Sequence, residues 1–487
     1  MASTTWNGTA RTADDVAPVA WRRVAPPMVV VAVLLSAFST RYGFERDELY
    51  FSMLKPAWGY VDQPPLMPLV SHGLTSLVGA SPWLLRVPAT LCAVGLVLLT
   101  GLLARELGGG AKAQGWAAWG IATTAAVCVF GHVLLTSTPD LVFWPAVCLC
   151  VVRAERRGQP RWWLVAGVVA GAATYNKLLI GVLLTGMALG LLLLGPRRRL
   201  LSPYVWGGAA LALLIGLPNV LYQVAHGWPE LDMGRALSDH NAGDVRVSMW
   251  IMLVLLLGPP MVVIWVAGLR ALARDPRLRF VVVAFGLLLV FTFVSGTQNY
   301  YPLFLEPVLF AAGIVAMERH LARVWAALFA VNGLVALVIG LPVVPVGTVG
   351  STPVAGINQV VQDSVGWPAY ARQITAAYDA LPDRSHAVVV ASNYGEAGAV
   401  SRFRPDVPVF SAQNALHDQA RPPDGTTTVV FVGGQVAEAR AWFTCHVVGR
   451  LDNGVGVDNE EQGEPIAVCT DPRAPWPVLW DRLRHLD

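Results

Sequence analysis

Long apolar runs fill the chain up to about residue 345, and a mixed pattern of short β-rich and helical stretches follows. A helix crosses a bilayer core with about 20 apolar residues, fewer where neighbouring helices support it. Eleven runs meet that description, near 26–40, 83–104, 114–131, 136–152, 162–176, 178–195, 203–223, 247–268, 280–295, 301–317 and 323–341. Between the first two, Leu49, Met53, Leu54 and Ala57 recur at helical spacing. They predict an amphipathic helix lying in the interface over 48–58, with a second over 64–78. Beyond residue 350, the runs 386–391, 407–410 and 427–432 read as strands, and 367–380 and 435–443 as helices. The pattern predicts an α-helical polytopic membrane protein with a small C-terminal α/β domain. Its membrane domain covers 26–345, an outer loop lies at 41–82, and the α/β domain covers 350–487.

Composition agrees with a membrane setting. Only 14% of the 487 residues are charged and 55% are hydrophobic, whereas soluble chains carry roughly 25% charged residues. A net charge of +3 excludes the strong basic excess of a nucleic-acid binder. The Lys and Arg residues sort by loop. Arg11, Arg22, Arg23, Arg105, Lys112, Arg153, Arg156, Arg157, Arg161, Arg197–Arg199, Arg270, Arg274, Arg277, Arg279, Arg319 and Arg323 fall on one side. Only Arg41, Arg46, Lys55, Lys177, Arg235 and Arg246 fall on the other. The richer side is cytoplasmic by the positive-inside rule. An odd number of spans then places the N-terminus inside and the α/β domain outside.

Asp14 and Asp15 stand where a signal peptide needs basic residues, so residues 1–25 read as a disordered cytosolic tail. The Asn7-Gly8-Thr9 sequon within it lies on the wrong side for glycosylation. Cys92, Cys128, Cys148 and Cys150 fall in spans and read as small apolar packing residues. Cys445 and Cys469 are the pair in the soluble tail, and an outward-facing tail makes a disulfide between them plausible. Asn393-Tyr394-Gly395-Glu396-Ala397-Gly398-Ala399 follows a strand; it fits either a binding turn or an ordinary strand-to-helix turn.

The polar residues left on the outer side are few and varied. Glu45, Asp47, Glu48 and Asp62 lie beside Tyr and Trp in the first outer loop. His132, Asp140, Lys177, Glu230, His240 and Arg246 follow, and Thr297-Gln298-Asn299-Tyr300-Tyr301-Pro302 forms the last outer turn. Ionisable groups at span ends mark functional sites in membrane proteins, although Asp140 also suits a simple helix start.

Five segments carry a resemblance: Arg46-Asp47-Glu48-Leu49-Tyr50, Tyr60-Val61-Asp62-Gln63-Pro64-Pro65, Thr138-Pro139-Asp140, Tyr175-Asn176-Lys177 and Asn299-Tyr300-Tyr301-Pro302. Together they resemble the GT-C superfamily of polyprenyl-phosphate-dependent glycosyltransferases. Within it, the likeness is to the bacterial branch of protein O-mannosyltransferases and the lipid A aminoarabinose transferase. The resemblance implies a GT-C fold of about 11 transmembrane helices in a bacterial plasma membrane. It implies inverting transfer of a sugar, mannose above all, from a polyprenyl phosphate to an acceptor hydroxyl of a protein, glycan, lipid or secreted peptide. Asp47 takes the role of general base and Glu48 helps to position the acceptor. Tyr60, Gln63, Asp140, Lys177, Arg246, Tyr300 and Tyr301 fall to the donor phosphate and sugar. Gln63 stands where the aminoarabinose transferase has a lysine, which removes one phosphate partner. Asp62 and His240 resemble that enzyme's metal ligands, so a divalent ion is the candidate cofactor, with no organic cofactor implied.

Each of these assignments has a plainer counterpart: solvated acids, interfacial tyrosines, a His–carboxylate hydrogen bond. The alternative function is a lipid or solute transporter, or flippase, of the same topology. Transporters usually carry paired broken helices in two related halves. Here Gly258-Pro259-Pro260 is the one strong mid-span break and has no counterpart, which favours the enzyme.

Overall fold

The computed structural model describes residues 16–79 and 81–487. Residues 1–15, with the Asn7 sequon and most of the expected N-terminal tail, lie outside them. Residues 17–20 are tied down, since Arg105 Nε donates to the Ala17 carbonyl and Ala20 N–H donates to Gln114 Oε1. The first helix, Trp21–Phe38, therefore starts inside the segment 1–25 that reads as a tail.

Each of the eleven apolar windows coincides with helix. Among the described residues, four helices are long and apolar enough to cross a membrane: Trp21–Phe38, Pro82–Glu106, Pro203–Ala225 and Arg323–Gly340. Trp162–Ala173, Ile180–Leu193 and Phe280–Ser295 are apolar but shorter. Several windows are interrupted, two of them at breaks that share one partner. The run 114–131 divides into Ala111–Ala122 and Ala125–His132, because Thr123 and Thr124 turn their hydroxyls back onto the Gly120 and Ile121 carbonyls. The run 247–268 divides at Gly258, whose φ of 103° only glycine adopts readily. Backbone groups freed in an apolar setting must find a partner. Asn332, 7% exposed, serves both breaks by donating to the carbonyls of Thr123 (2.8 Å) and Leu257 (2.9 Å).

The chain forms two compact units. The first holds the described residues up to Ala37, with Val87–His132 and Thr136–Leu337. Several of its arginines are paired rather than merely topological. Glu106, fully buried, meets Arg105, Arg153 and Arg157, while Asp275 meets Arg156 and Glu155 meets Arg199.

The second unit joins Phe38–Arg86, Val133–Leu135 and Val338–Asp487. Its sheet runs β2-β1-β3-β5-β4, with β1 Ala387–Ala391, β2 Val409–Ser411, β3 Thr428–Val432, β4 Thr444–Arg450 and β5 Pro465–Thr470. The three expected strands are its parallel part, and β3-β5-β4 is antiparallel. The last two strands escaped the reading because β4 lies largely exposed at the sheet edge without a hydrophobic alternation. Cys445 and Cys469 face each other across β4 and β5 and form a disulfide. The helix expected over 367–380 is Trp367–Asp379, whereas the one over 435–443 shrinks to Val436–Ala439.

Alternate residues of β1 face opposite cores, as a strand's period of two requires. Val388 and Val390 pack with Phe431, Phe443, Trp476 and Trp480. Val389 and Ala391 pack with Trp367, Tyr370 and Ile374, and also with Leu49, Tyr50 and Phe51 of the first outer loop. That loop is therefore part of the α/β body. The helix read as interfacial over 48–58 is Arg46–Met53, and it buries Arg46, Glu48, Leu49, Tyr50 and Phe51 in protein. The second loop helix is Leu66–Val78.

Candidate active site

The residues around Asp47 are placed by the start of the helix Arg46–Met53. Glu45 is its N-cap and accepts from Asp47 N–H at 2.8 Å, while Glu48 reaches back to Glu45 N–H at 2.9 Å. This reciprocal pair satisfies two orphan donors of the first turn. Glu48 then closes a wider knot. Its two oxygens each lie 2.8 Å from Arg86, one on Nε and one on an amino nitrogen, in a bidentate pair. Leu134 N–H donates to the same carboxylate at 3.1 Å. Arg86 also donates to the carbonyls of Ser39 (2.6 Å) and Gly43 (2.7 Å). Both side chains are at most 1% exposed. Glu48, read from sequence as an acceptor-positioning group, thus has its oxygens committed to holding segments 39–48, 86 and 134 together.

Asp47 is half-buried on the opposite side of that turn. The Tyr394 hydroxyl donates to its Oδ1 at 3.1 Å. The Tyr394 ring meets the Tyr50 ring in a tilted contact, centroids 4.5 Å apart, and the Arg46 guanidinium lies 4.7 Å from the ring centroid. Arg46 is itself paired with Glu460. Tyr50 donates to Asp62 Oδ2 at 2.9 Å, and Gln63 Nε2 approaches the same oxygen at 3.3 Å. Asp62 Oδ1 and Gln63 Oε1 are buried with no hydrogen-bond partner among the described residues. Burial pushes the Asp62 carboxyl up to about 7, against the opposing pull of the Tyr50 hydroxyl. Tyr60 is buried and its hydroxyl donates to the Lys55 carbonyl at 2.7 Å, which fixes the loop rather than pointing to a ligand.

Lys177, Asp140, Arg246, His240, Tyr300 and Tyr301 belong to the first unit. The turn that carries Lys177 is pinned from several directions. Asn176 Nδ2 donates to Thr136 O, Asn219 Nδ2 to Thr174 O, and Tyr175 to Ile215 O, each at 2.8 Å. The Lys177 amine stands 5.7 Å and 5.8 Å from the ring centroids of Tyr300 and Tyr301, which meet edge to face. No carboxylate among the described residues lies within ion-pair distance of it. Asp140, 1% exposed, begins the helix Asp140–Arg156, with the Asn176 amide and the Trp144 indole as its neighbouring donors. The charge of Lys177 acts on it. Arg246 is exposed and donates to the Phe293 carbonyl at 3.2 Å. His240 is also exposed, with Nδ1 3.0 Å from the Ala236 carbonyl of its own helix.

The suggested metal ligands fall in different units, Asp62 in the second and His240 in the first. Among the described residues no three His, Cys, Asp or Glu side chains gather as a metal-holding group. Two protein ligands fall short of the three that a catalytic zinc takes. A magnesium-type ion keeps several waters and needs one or two carboxylates. The unpartnered Asp62 oxygen suits that role, supplemented by the Gln63 amide oxygen.

Sequence reasoning overlooked Arg86 as a structural partner and gave Tyr394 no role of its own. Arg86 carried a signal, being an arginine at a span end with no inner-loop neighbour to explain it. Tyr394 had only the unusual Asn-Tyr-Gly-Glu turn.

Residues 62–222 match the family model described as dolichyl-phosphate-mannose-protein mannosyltransferase. No curated protein matches the chain by sequence. The fold is similar to ArnT from Cupriavidus metallidurans in the apo state, at 15% identity and a TM-score of 0.60, covering 93% of this chain and 98% of that one. It is similar also to ArnT from the same organism bound to undecaprenyl phosphate, at 17% identity and a TM-score of 0.57, covering 91% and 97%. The chain thus has a fold similar to that of the ArnT glycosyltransferase and, over residues 62–222, a sequence match to the mannosyltransferase model.

Proposed function

We propose that the protein is an inverting glycosyltransferase that moves a sugar, mannose in the first instance, from a polyprenyl phosphate to an acceptor hydroxyl on the outer face of a bacterial plasma membrane. The observation that carries this reading is the locked helix start that presents Asp47. Two buried structural devices, the Glu45–Glu48 cap and the Glu48–Arg86 knot, fix the backbone of one half-buried carboxylate. In the reaction, the acceptor oxygen bonds to the anomeric carbon as the bond from that carbon to the phosphate oxygen breaks. The leaving lipid phosphate keeps the bonding pair, and Asp47 takes the hydroxyl proton.

The departing phosphate gathers negative charge and needs a cation near it. Lys177, rigidly held and without a carboxylate ion-pair partner among the described residues, suits that charge, with Tyr300 and Tyr301 as hydroxyl donors beside it. Arg246 and Asp140 complete the donor set proposed for the first unit. A divalent ion held at Asp62 and the Gln63 amide oxygen would supply charge neutralisation for a departing phosphate; the other expected ligand, His240, belongs to the first unit. The eleven windows form the membrane domain, with the N-terminus cytoplasmic. The Cys445–Cys469 disulfide supports an outward α/β domain, since disulfides persist in oxidising compartments.

The test uses the full-length protein in membranes from cells lacking other such transferases, supplied with labelled undecaprenyl-phosphate mannose. Wild type should consume the donor and label an endogenous acceptor, and Asp47→Asn should lower the rate about 10²–10⁴-fold while the protein still folds. If the wild type consumes no donor while lipid or solute movement depends on it, the transporter reading replaces this one.

A further inference from the structure

We infer that Tyr394, carried by the C-terminal α/β part of the chain, is a positioning residue for Asp47 in glycosyl transfer. The inference rests on the proposed role of Asp47 and adds a residue more than 340 positions away in sequence, with |i−j| of 347.

The geometry holds Tyr394 at both ends. Its helix, Tyr394–Phe403, opens on a second capping box, with Asn393 Oδ1 accepting from Glu396 N–H at 2.8 Å and Glu396 accepting from Asn393 N–H at 3.2 Å. Tyr394 N–H donates to Gln413 Oε1 at 2.7 Å. The helix then crosses Arg46–Met53 at backbone contact. A Cβ on Gly398 would meet Leu49 Cβ at 2.7 Å, and one on Gly395 would meet Trp367 at 2.4 Å. The glycines of this turn therefore serve close approach, and the approach delivers the Tyr394 hydroxyl to Asp47. Tyr50 and Arg46 hold the ring, so the hydroxyl has little freedom to turn elsewhere.

The electrostatic surroundings give that bond a task. Among the groups that interact with the Asp47 charge are Glu45 on its own helix turn, Asp62 from the following loop, Asp363 from the segment before Trp367 and Tyr394. Neighbouring carboxylates disfavour one another's charged forms. A phenol donating to the carboxylate favours the charged form, and a base must be charged to accept the acceptor's proton. The bond also fixes the plane of the carboxylate, and misplacement of a reacting group by about 1 Å can cost 10²-fold in rate.

Tyr394→Phe keeps the ring and its contacts with Tyr50 and Arg46, and removes only the hydroxyl. With undecaprenyl-phosphate mannose as donor, it should lower kcat about 10-fold and leave the donor KM within about twofold. The rising limb of the pH–rate profile should move up by about half to one pH unit. In an Asp47→Asn background the same change should cause no further loss, because the two act as a unit. Should the Phe variant fail to fold, site-specific 3-fluorotyrosine at 394, a more acidic phenol, should move the rising limb down instead. An active wild type whose Phe variant shows an unaltered kcat and pH profile, or whose fluorotyrosine form leaves the limb in place, overturns the inference. Absence of transfer by the wild type itself overturns the functional reading and, with it, this role.

Discussion

The two polar clusters of this protein differ in how their hydrogen-bonding capacity is spent. In the second unit, Glu48 and Arg86 are almost wholly buried and saturated by each other and by backbone groups at residues 39, 43, 45 and 134. In the first, Lys177 stands over two perpendicular tyrosine rings with no ion-pair partner among the described residues. A saturated buried pair is a scaffold: removing one member leaves a charge stranded, and nothing is left over for a ligand. An ordered, unsaturated cation is free to meet an anion. Their partners thus separate a saturated, buried pair from a cation with capacity to spare, the one suited to scaffolding and the other to the proposed phosphate contact.

The largest effect that tests this contrast is Arg86→Met. It strands Glu48 and should destabilise the second unit by about 3–5 kcal/mol, read as a large loss of thermal stability in detergent. Adding Glu48→Met should recover much of that loss, as an apolar pair of similar volume often does. Lys177→Ala should act in the opposite register. It should raise the KM for the lipid donor about 10-fold or more, in line with a lost charge-assisted contact of about 1.5–3 kcal/mol, with thermal stability almost unchanged. If Lys177→Ala melts like Arg86→Met, the contrast between scaffold and reagent fails.

The smallest effect concerns pH. Burial raises the carboxyls of Glu396, to about 8, and Asp363, to about 7. For an acid whose folded value lies above its unfolded one, the folded state retains protons that the unfolded chain has released. Stability therefore falls as pH rises from about 5 towards 8. Thermal midpoints of the intact protein should decline over that window, and Glu396→Gln should flatten the decline. An unchanged slope in Glu396→Gln would remove Glu396 as its source.

Much of the fold is legible along the chain, because apolar helices and buried parallel strands write their periods into consecutive residues. The eleven windows and the three parallel strands all lie on elements of the expected type. The loop 41–82 stood out in the sequence as the expected place of the chemistry, through the density of acids beside tyrosines. The roles inside it were not legible. Asp47 and Glu48 are neighbours with the same chemistry, yet one faces Tyr394 and the other is tied to Arg86. The interfacial helix likewise has the right spacing, but it packs on the helix Tyr394–Phe403 and shares the core of the α/β part.

The sequence by itself determined that the chain is largely apolar helix with an α/β tail, and which few polar residues between the apolar runs had chemistry to offer. Hydrophobic period and charge asymmetry are local properties, and they survive translation into structure unaided. The tertiary structure alone decided that the loop 38–86 and the tail are one body, that Glu48 is architecture, and that a tyrosine 347 residues away holds Asp47. Those outcomes depend on which distant groups satisfy a buried donor or acceptor. No periodicity records that choice, because burial makes it only when the chain closes.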